Sequence, residues 1–264
     1  MARRGRPAVI PHRGGAREVP ENTWTAVEHV ARLGLEWMET DLRATADGVV
    51  VLAHDEDLLR AAGDPRRIQE VMWAELADLD AGDRRGFVRL SDALAHHPEL
   101  CFNVDLKESE VVQPALQAVR DADALGRTRF VSFSARRLAM LRRQEPRATT
   151  ALGVADVMGL MLLSEAAVPL PHTRWGWTRG RVDAVQVPPA YRGVPVVTRR
   201  FVAAAHTEGL EVHVWDVNTP EEMHRMAALN VDAIMTDVPT LATKELSGPP
   251  RPETAVAAGR PCRP

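Results

Sequence analysis

The chain has 264 residues, of which 45% are hydrophobic and 26% are charged, and its formal net charge is −3. This length buries a full core and suits one α/β barrel or two small domains. The negative net charge argues against a nucleic acid as the partner. No stretch reaches the ~20 apolar residues of a membrane span, so no stable membrane insertion is expected. The basic start lacks the apolar core of a signal peptide, and the expected location is the cytoplasm.

The first elements along the chain alternate between strand and helix. Ala8 to His12 is a short apolar run that predicts a strand, and His12-Arg13-Gly14-Gly15 predicts a loop after it. Apolar residues then recur at helical spacing, which predicts a helix capped by Asn22 or Thr23. A second strand, Trp37 to Asp41, follows at once. The order strand, loop, helix, strand is typical of the start of a βαβ unit.

The stretch from Trp37 to Asp55 predicts a β-hairpin, because Asp47-Gly48 favours the left-handed turn of a tight loop. A two-residue loop at this dipeptide places His54 opposite Asp41. Glu39, Asp41 and His54 then project from one face, and directly opposed side chains lie about 5 Å apart at Cβ. Two interpretations fit these three side chains. They form part of a metal or acid–base site, or they are ordinary polar residues of a solvent-facing hairpin.

Eight strands are predicted along the chain, at positions 8, 37, 101, 130, 149, 184, 211 and 233, with helices between them. This arrangement predicts an α/β fold, a (β/α)8 TIM barrel with the hairpin and a small insertion (about residues 56–98) after the second strand. A doubly wound open sheet is the alternative, but the loop after the first strand is not the glycine-rich phosphate turn of that fold. We predict a single domain over residues 1–246 and a disordered, proline-rich tail over residues 247–264.

Polar side chains stand at the ends of the predicted strands, where a barrel of this kind carries its chemistry. Three carboxylates form an oxygen-rich set that suits a hard cation, Mg²⁺ or Ca²⁺. Two histidines and a lysine remain for proton transfer and anion binding. The strand ends contain His12, Glu39, Asp41, Asp105, Lys107, Ser132, Ser134, Trp215, Asn218, Thr236 and Asp237.

Several short motifs occur in one order along the chain. They are His12-Arg13-Gly14, Pro20-Glu21-Asn22-Thr23, Glu39-Thr40-Asp41, Asp47-Gly48, His54-Asp55, Trp215-Asp216-Val217-Asn218 and Thr236-Asp237-Val238-Pro239. Each motif is weak alone, but the ordered set resembles the glycerophosphodiester phosphodiesterase family as far as about Leu241. That resemblance implies a (β/α)8 barrel that uses a divalent cation to hydrolyse glycerophosphodiesters to glycerol 3-phosphate and an alcohol.

The resemblance also implies roles for the matching residues. It makes His12 and His54 the general acid and base of the reaction. It assigns Arg13 and Lys107 to the phosphate of a small-molecule phosphodiester substrate. Trp215 is expected to form a wall of the substrate pocket, with a buried core position as the alternative. The attacking oxygen is either water or a neighbouring hydroxyl of the substrate.

One divalent cation, Mg²⁺ or Ca²⁺, is implied to bind Glu39, Asp41 and Asp105. The family usually has glutamate at the third position, so the shorter side chain of Asp105 can shift the metal or change its preference. Asp216 replaces a threonine of the family. Strand alternation predicts that it faces away from Trp215, with little functional consequence.

Two further functions are compatible with the same residues. A lysophospholipase D acts on lipids with one chain, and a broad apolar groove beside the site would favour it. A barrel that binds a phosphodiester without cleaving it is the non-enzymatic alternative. Trp175 and Trp177, on a predicted loop, either line the site for the alcohol or only cover the barrel.

Overall fold

The computed structural model describes residues 6–165 and 181–247. The predicted loop with Trp175 and Trp177, and the predicted tail from residue 248 onward, lie outside these residues. The main sheet contains eight parallel strands, numbered here in chain order. They are β1 (Ala8–Pro11), β2 (Trp37–Ala44), β3 (Cys101–Leu106), β4 (Thr128–Val131), β5 (Thr149–Ala151), β6 (Arg181–Val187), β7 (Glu211–Val214) and β8 (Ala233–Thr236).

The strands follow the order of a (β/α)8 barrel, so the predicted fold class is confirmed. Consecutive strands from β2 to β8 pair with one another, and β8 also pairs with β1, placing Ala233 beside Ala8. Over the ranges 6–165 and 181–247 no ladder joins β1 to β2. The backbone N–H of Arg13 instead donates to Oε2 of Glu39 across this gap, at 3.1 Å.

Helices on the outside of the sheet bury their apolar faces against it. Those of seven or more residues are α1 (Trp24–Arg32), α2 (Leu90–His96), α3 (Val112–Asp121), α4 (Ala135–Gln144), α5 (Val154–Glu165), α6 (Arg199–Thr207), α7 (Pro220–Ala228) and α8 (Pro239–Leu246). The N-caps Thr23, Ser134, Thr198 and Thr219 each accept a hydrogen bond from the backbone N–H three residues on. Such caps satisfy donors that the first turn leaves free.

The hairpin after β2 forms, but its register differs by one residue from the predicted one. Its return arm is Val50–Leu52, and the loop contains three residues, 46–48, the last of which is a glycine with φ 78°. Ala53, not His54, therefore donates its N–H to the carbonyl of Asp41, at 3.0 Å. The predicted pairing of His54 with Asp41 is wrong because a three-residue loop ending in a left-handed residue competes with the two-residue one.

The insertion after the hairpin has a small core of its own. It contains the paired strands Asp57–Leu58 and Asp64–Arg67, the short helices Leu59–Ala62 and Trp73–Leu76, and the 3-10 turn Ile68–Glu70. Apolar side chains pack within it and against the hairpin: Val51, Ala53, Leu58, Ile68, Val71, Leu76 and Phe87. Two smaller elements lie elsewhere, the 3-10 turn Leu125–Arg127 and the hairpin Ala190–Tyr191 with Val194–Pro195.

The interior of the barrel holds a polar group below the strand ends. Arg129, of which 2% is exposed, pairs with Asp183 at 2.6 Å, and its guanidinium lies over the ring of Trp37. His213 is 2% exposed and lies 3.1 Å from Glu211, so it is a packed core histidine. Among the described residues, no helix is long and apolar enough to cross a bilayer.

Candidate active site

The first part of the site is the turn that follows β1. His12–Gly14 forms a single 3-10 turn in which Arg13 has a φ of 52° and Gly14 a φ of 82°. A Cβ on Gly14 would lie 2.6 Å from the Cβ of Ala26 in α1. Both the left-handed backbone and the close approach to α1 therefore require glycine. The turn directs His12 and Arg13 toward the carboxyl ends of the neighbouring strands.

His12 lies among carboxylates. Its Nδ1–H donates to Oδ1 of Asp237 at 2.7 Å, and Oδ1 of Asp216 is 3.4 Å from the same nitrogen. Its Nε2 is 3.8 Å from Oε2 of Glu39. Burial lowers the pKa of His12, but the charge of Glu39 and the hydrogen bond to Asp237 outweigh it and raise the pKa to about 9. His12 therefore carries its proton at neutral pH.

Three buried carboxylates lie at the ends of β2 and β3. Asp41 and Asp105 are direct partners on these strands, and Glu39 shares the face of Asp41 two residues earlier. Only 6% of Glu39, 1% of Asp41 and 6% of Asp105 is exposed. Burial raises the pKa of Glu39, the charge of Asp41 raises it further, and burial likewise raises the pKa of Asp105. Positive charge is needed to keep three carboxylates ionised in this space.

Lys107 and Arg13 supply part of that positive charge. Nζ of Lys107 is 2.8 Å from Oδ1 of Asp41 and 2.7 Å from Oδ2 of Asp105. Nε of Arg13 is 3.0 Å from Oδ2 of Asp41. Burial opposes ionisation of Asp41, but Lys107 and then Arg13 hold its pKa below the usual range. The compact ammonium of Lys107 fits between two carboxylates where a planar guanidinium would need more room.

His54 reaches the site from the segment that follows the hairpin. Its Nδ1–H donates to Oδ1 of Asp55 at 2.7 Å. Nε of Arg60, in the insertion, donates to Oδ2 of Asp55 at 2.5 Å, and its Nη2 donates to Oε1 of Glu21 at 2.6 Å. Glu21 also accepts from Nη1 of Arg13 at 3.2 Å. A continuous chain of charged contacts therefore connects His54 with Arg13.

The three carboxylates are the candidate ligands of the predicted cation. Within residues 6–165 and 181–247, no three His, Cys, Asp or Glu side chains are arranged to hold a metal ion, and Lys107 lies between Asp41 and Asp105. The residues nevertheless fit Mg²⁺ or Ca²⁺, because all of them are oxygen donors. Oδ1 of Asp105 is buried and accepts no hydrogen bond in this part of the chain, so it is a free ligand atom. The ligand set stays a prediction.

A cavity of 880 Å³ opens among these groups. Every residue for which the resemblance implies a role at the site lines it, namely His12, Arg13, Glu39, Asp41, His54, Asp105, Lys107 and Trp215. The remaining wall is mainly apolar and includes Val131, Leu152, Val157, Met161, Val187 and Val196. The cavity thus has a charged end and an apolar side. The structure brings the predicted residues together, while their individual roles stay predictions.

Other residues support the site without having been assigned a role from the sequence. Nδ2 of Asn218 donates to Oδ2 of Asp237 at 2.8 Å and so fixes the carboxylate that binds His12. Nδ2 of Asn22 donates to Oδ2 of Asp41 at 3.2 Å, although the sequence suggested Asn22 only as a helix cap. The signal that could have found them is their position inside the ordered motifs.

Asp216 also belongs to the site, so the expectation that it faces away from Trp215 is wrong. β7 ends at Val214, and strand alternation therefore does not extend to the next two residues, which are joined by a cis peptide bond. Asp216 lines the cavity together with Trp215 and approaches His12. Trp215 itself packs against the apolar cluster that contains Ile10 and also lines the cavity, while its role as a wall for the substrate stays a prediction.

Comparison with known proteins agrees with this geometry. The profile of the Glycerophosphoryl diester phosphodiesterase family matches residues 12–241. A probable glycerophosphodiester phosphodiesterase 2 of Mycobacterium tuberculosis is 32% identical over 238 residues, which is 89% of each chain. The crystal structure of a glycerophosphodiester phosphodiesterase from Agrobacterium tumefaciens has a TM-score of 0.74 at 25% identity, covering 92% of this chain and 100% of its own.

A phosphodiesterase of Oleispira antarctica, solved in complex with the product sn-glycerol-3-phosphate, shares the fold. Its TM-score is 0.74 at 20% identity, with 92% of this chain and 97% of that chain covered. The resemblance drawn from the ordered motifs is thus confirmed, because the match extends over nearly the whole chain. The protein belongs to the Glycerophosphoryl diester phosphodiesterase family, a family of phosphodiester hydrolases.

Proposed function

We propose that the protein hydrolyses glycerophosphodiesters to glycerol 3-phosphate and an alcohol, with the help of a divalent cation and two histidines. The observation that carries this proposal is the meeting of two imidazoles, three carboxylates, an arginine and a lysine at one end of a single cavity. Basic groups beside a carboxylate cluster suit a bound metal and a phosphodiester anion together. Membership of a phosphodiesterase family supports the reaction class.

In the proposed reaction, Arg13 and Lys107 bind the non-bridging phosphate oxygens and offset their charge. His54, whose Nδ1–H is held by Asp55, accepts at Nε2 the proton of the attacking oxygen, which forms the new P–O bond. His12, which is protonated at neutral pH, gives a proton to the alcohol oxygen as its P–O bond breaks. The site accommodates water or a neighbouring substrate hydroxyl as the attacking group.

Glu39, Asp41 and Asp105 would hold the divalent cation, Mg²⁺ or Ca²⁺, which when bound supplies Lewis-acid stabilisation to a non-bridging phosphate oxygen. Lys107 contacts two of these carboxylates. With the cation bound, its ammonium would be free to turn toward the phosphate, because the cation would then offset the carboxylate charge that Lys107 and Arg13 offset in its absence.

The test is release of glycerol 3-phosphate from glycerophosphocholine, followed with and without a chelator. His12→Ala and His54→Ala are each expected to lower kcat by about 10²-fold or more, because each removes a proton-transfer group. His224→Ala is the matched control, since His224 is 57% exposed and pairs with Glu245 away from the cavity. Full activity in both histidine variants would refute the mechanism. Binding of the substrate without turnover would favour a non-catalytic barrel.

A second candidate function is that of a lysophospholipase D, and the apolar side of the cavity is the observation that favours it. Val157 and Met161 lie one helical turn apart on α5 and face the cavity beside Leu152. A single acyl chain would find an apolar wall there. Turnover of lysophosphatidylcholine above that of glycerophosphocholine, reversed by Val157→Asp, would select this function. Equal loss of both activities in Val157→Asp would indicate only a folding defect.

A further inference from the structure

The carboxylate of Asp216 is unusual in its surroundings. Its side chain is 41% exposed at the cavity, and in the described part of the chain its one ion-pair contact is with Nδ1 of His12, at 3.4 Å. Every other carboxylate around the charged end has a lysine or arginine contact or a backbone N–H donor. Asp41 and Asp105 share Lys107, and Glu39 accepts from the backbone of Arg13.

Three carboxylates surround the ring of His12, those of Glu39, Asp216 and Asp237. The side chains of Glu39 and Asp237 are 7% and 13% exposed, and Arg17 lies 3.4 Å from Asp237. Asp216, at 41%, is the most exposed of the three, and it is open on the side of the cavity. An open carboxylate there suits a cationic group of a ligand.

Aromatic side chains line the cavity into which this carboxylate opens. Trp215 precedes Asp216 in the chain, and the ring of Phe133 meets the ring of Trp215 edge to face, with centroids 5.8 Å apart. Both residues line the cavity, and Phe133 is 63% exposed. Tyr191 lines it too, but Arg192 already lies over its ring at 5.5 Å. In the described residues no arginine or lysine lies over the ring of Trp215 or Phe133, and both side chains border the cavity with Asp216.

We propose that Asp216, Trp215 and Phe133 form a subsite for an ammonium group on the alcohol half of the substrate. A quaternary ammonium is poorly hydrated, gains energy over aromatic rings and is attracted to an exposed carboxylate that has no lysine or arginine contact in the described residues. The preferred substrates are then glycerophosphodiesters of amino alcohols. This inference rests on the proposed function for its place in the reaction, but the binding of the ammonium group does not.

Direct binding tests the subsite without turnover. Choline is titrated into the full-length protein by calorimetry, and 3,3-dimethylbutan-1-ol, which has the same shape without the charge, is the matched control ligand. Choline is expected to bind about tenfold more tightly than the neutral alcohol, which is within the range of a cation–π contact. Asp216→Asn and Phe133→Leu are expected to remove most of that difference. Equal affinity for the two ligands in the unmodified protein would overturn the proposal.

A second measurement uses the reaction. The ratio of kcat/KM for glycerophosphocholine to that for glycerophosphoglycerol is expected to fall about tenfold in Asp216→Asn. Both substrates use His12, so any effect of the substitution on that residue cancels in the ratio. Asp216 and Phe133 are exposed, and unchanged melting temperatures would show that the variants fold. Turnover with an unchanged ratio would overturn the subsite alone, whereas absence of turnover with any substrate would overturn the proposed function.

Discussion

Replacement of Lys107 by methionine is the most informative perturbation of the site, because in the described part of the chain Lys107 is the one basic side chain that pairs with both Asp41 and Asp105. Its Nζ lies 2.8 Å from Oδ1 of Asp41 and 2.7 Å from Oδ2 of Asp105, and the lysine side chain is 17% exposed. Methionine keeps the length and the apolar stem but removes the charge. The substitution leaves two nearly buried carboxylates with a deficit of positive charge, although Arg13 still contacts Asp41.

The size of the effect follows from burial. Removal of one partner from a buried ion pair destabilises a protein by about 3–5 kcal/mol. Since Lys107 is partly exposed and Arg13 remains, we expect about 3 kcal/mol in the presence of a chelator. If the carboxylates bind a divalent cation, a concentration 100 times its Kd restores about 2.7 kcal/mol. Lys107→Met should therefore be destabilised in chelator, and with a metal its free energy of unfolding should return close to that of the unmodified protein in chelator.

The assay is urea unfolding of the unmodified protein and of Lys107→Met, each with EDTA, Mg²⁺ or Ca²⁺. Lys244→Met is the control, because Lys244 is the other lysine of the chain and lies exposed near the end of α8. A stability of Lys107→Met equal to that of the control in EDTA would refute the buried ion-pair argument. A destabilisation that neither cation relieves would refute the assignment of Asp41 and Asp105 as metal ligands.

Three further predictions concern the remaining parts of the site. Asp237→Asn weakens the 2.7 Å contact that helps raise the pKa of His12 to about 9. The loss of kcat/KM at alkaline pH is therefore expected to begin at a lower pH than in the unmodified enzyme. If the pH at which this loss begins does not change, the assignment of His12 as the acid is contradicted. Arg60→Ala removes the ion pairs of a 55% exposed side chain with Asp55 and Glu21, so the free energy of unfolding should change by less than about 1 kcal/mol. The kcat is nevertheless expected to fall by about tenfold or more, because Asp55 positions His54. A kcat equal to that of the control Arg66→Ala would show that this positioning is unimportant. Gly14→Ala is expected to destabilise the protein by about 2–5 kcal/mol, because the left-handed backbone is strained and the new Cβ clashes with Ala26. Gly34→Ala is the control, with an expected cost of about 1 kcal/mol, because no atom lies within 4 Å of its new Cβ. Equal melting temperatures for the two variants would contradict the packing argument.

The order of strands and helices could be derived from the sequence because it depends on local patterns. The alternation in Cys101–Leu106, with Asn103 and Asp105 on one face, gives both the strand β3 and the face from which Asp105 projects. The number of such units then leads to the barrel, since parallel strands joined by helices pair in sequence order. Local pattern did not give the hairpin register, where a three-residue loop and a two-residue loop differ by little in energy.

The sequence by itself determined which residues of the charged end meet, because strand ends of a parallel barrel share one side and the motifs occur at those ends. Only the tertiary structure decided how they are partnered. His12 and Asp237 are 225 residues apart, and Arg60 joins Glu21 and Asp55 from an insertion whose path no local pattern specifies. Asp216 shows the same limit, since alternation holds only while the backbone remains a strand, and β7 ends at Val214. Side-chain partners beyond a strand end depend on the path of the whole chain, and those partners set the charge of the site.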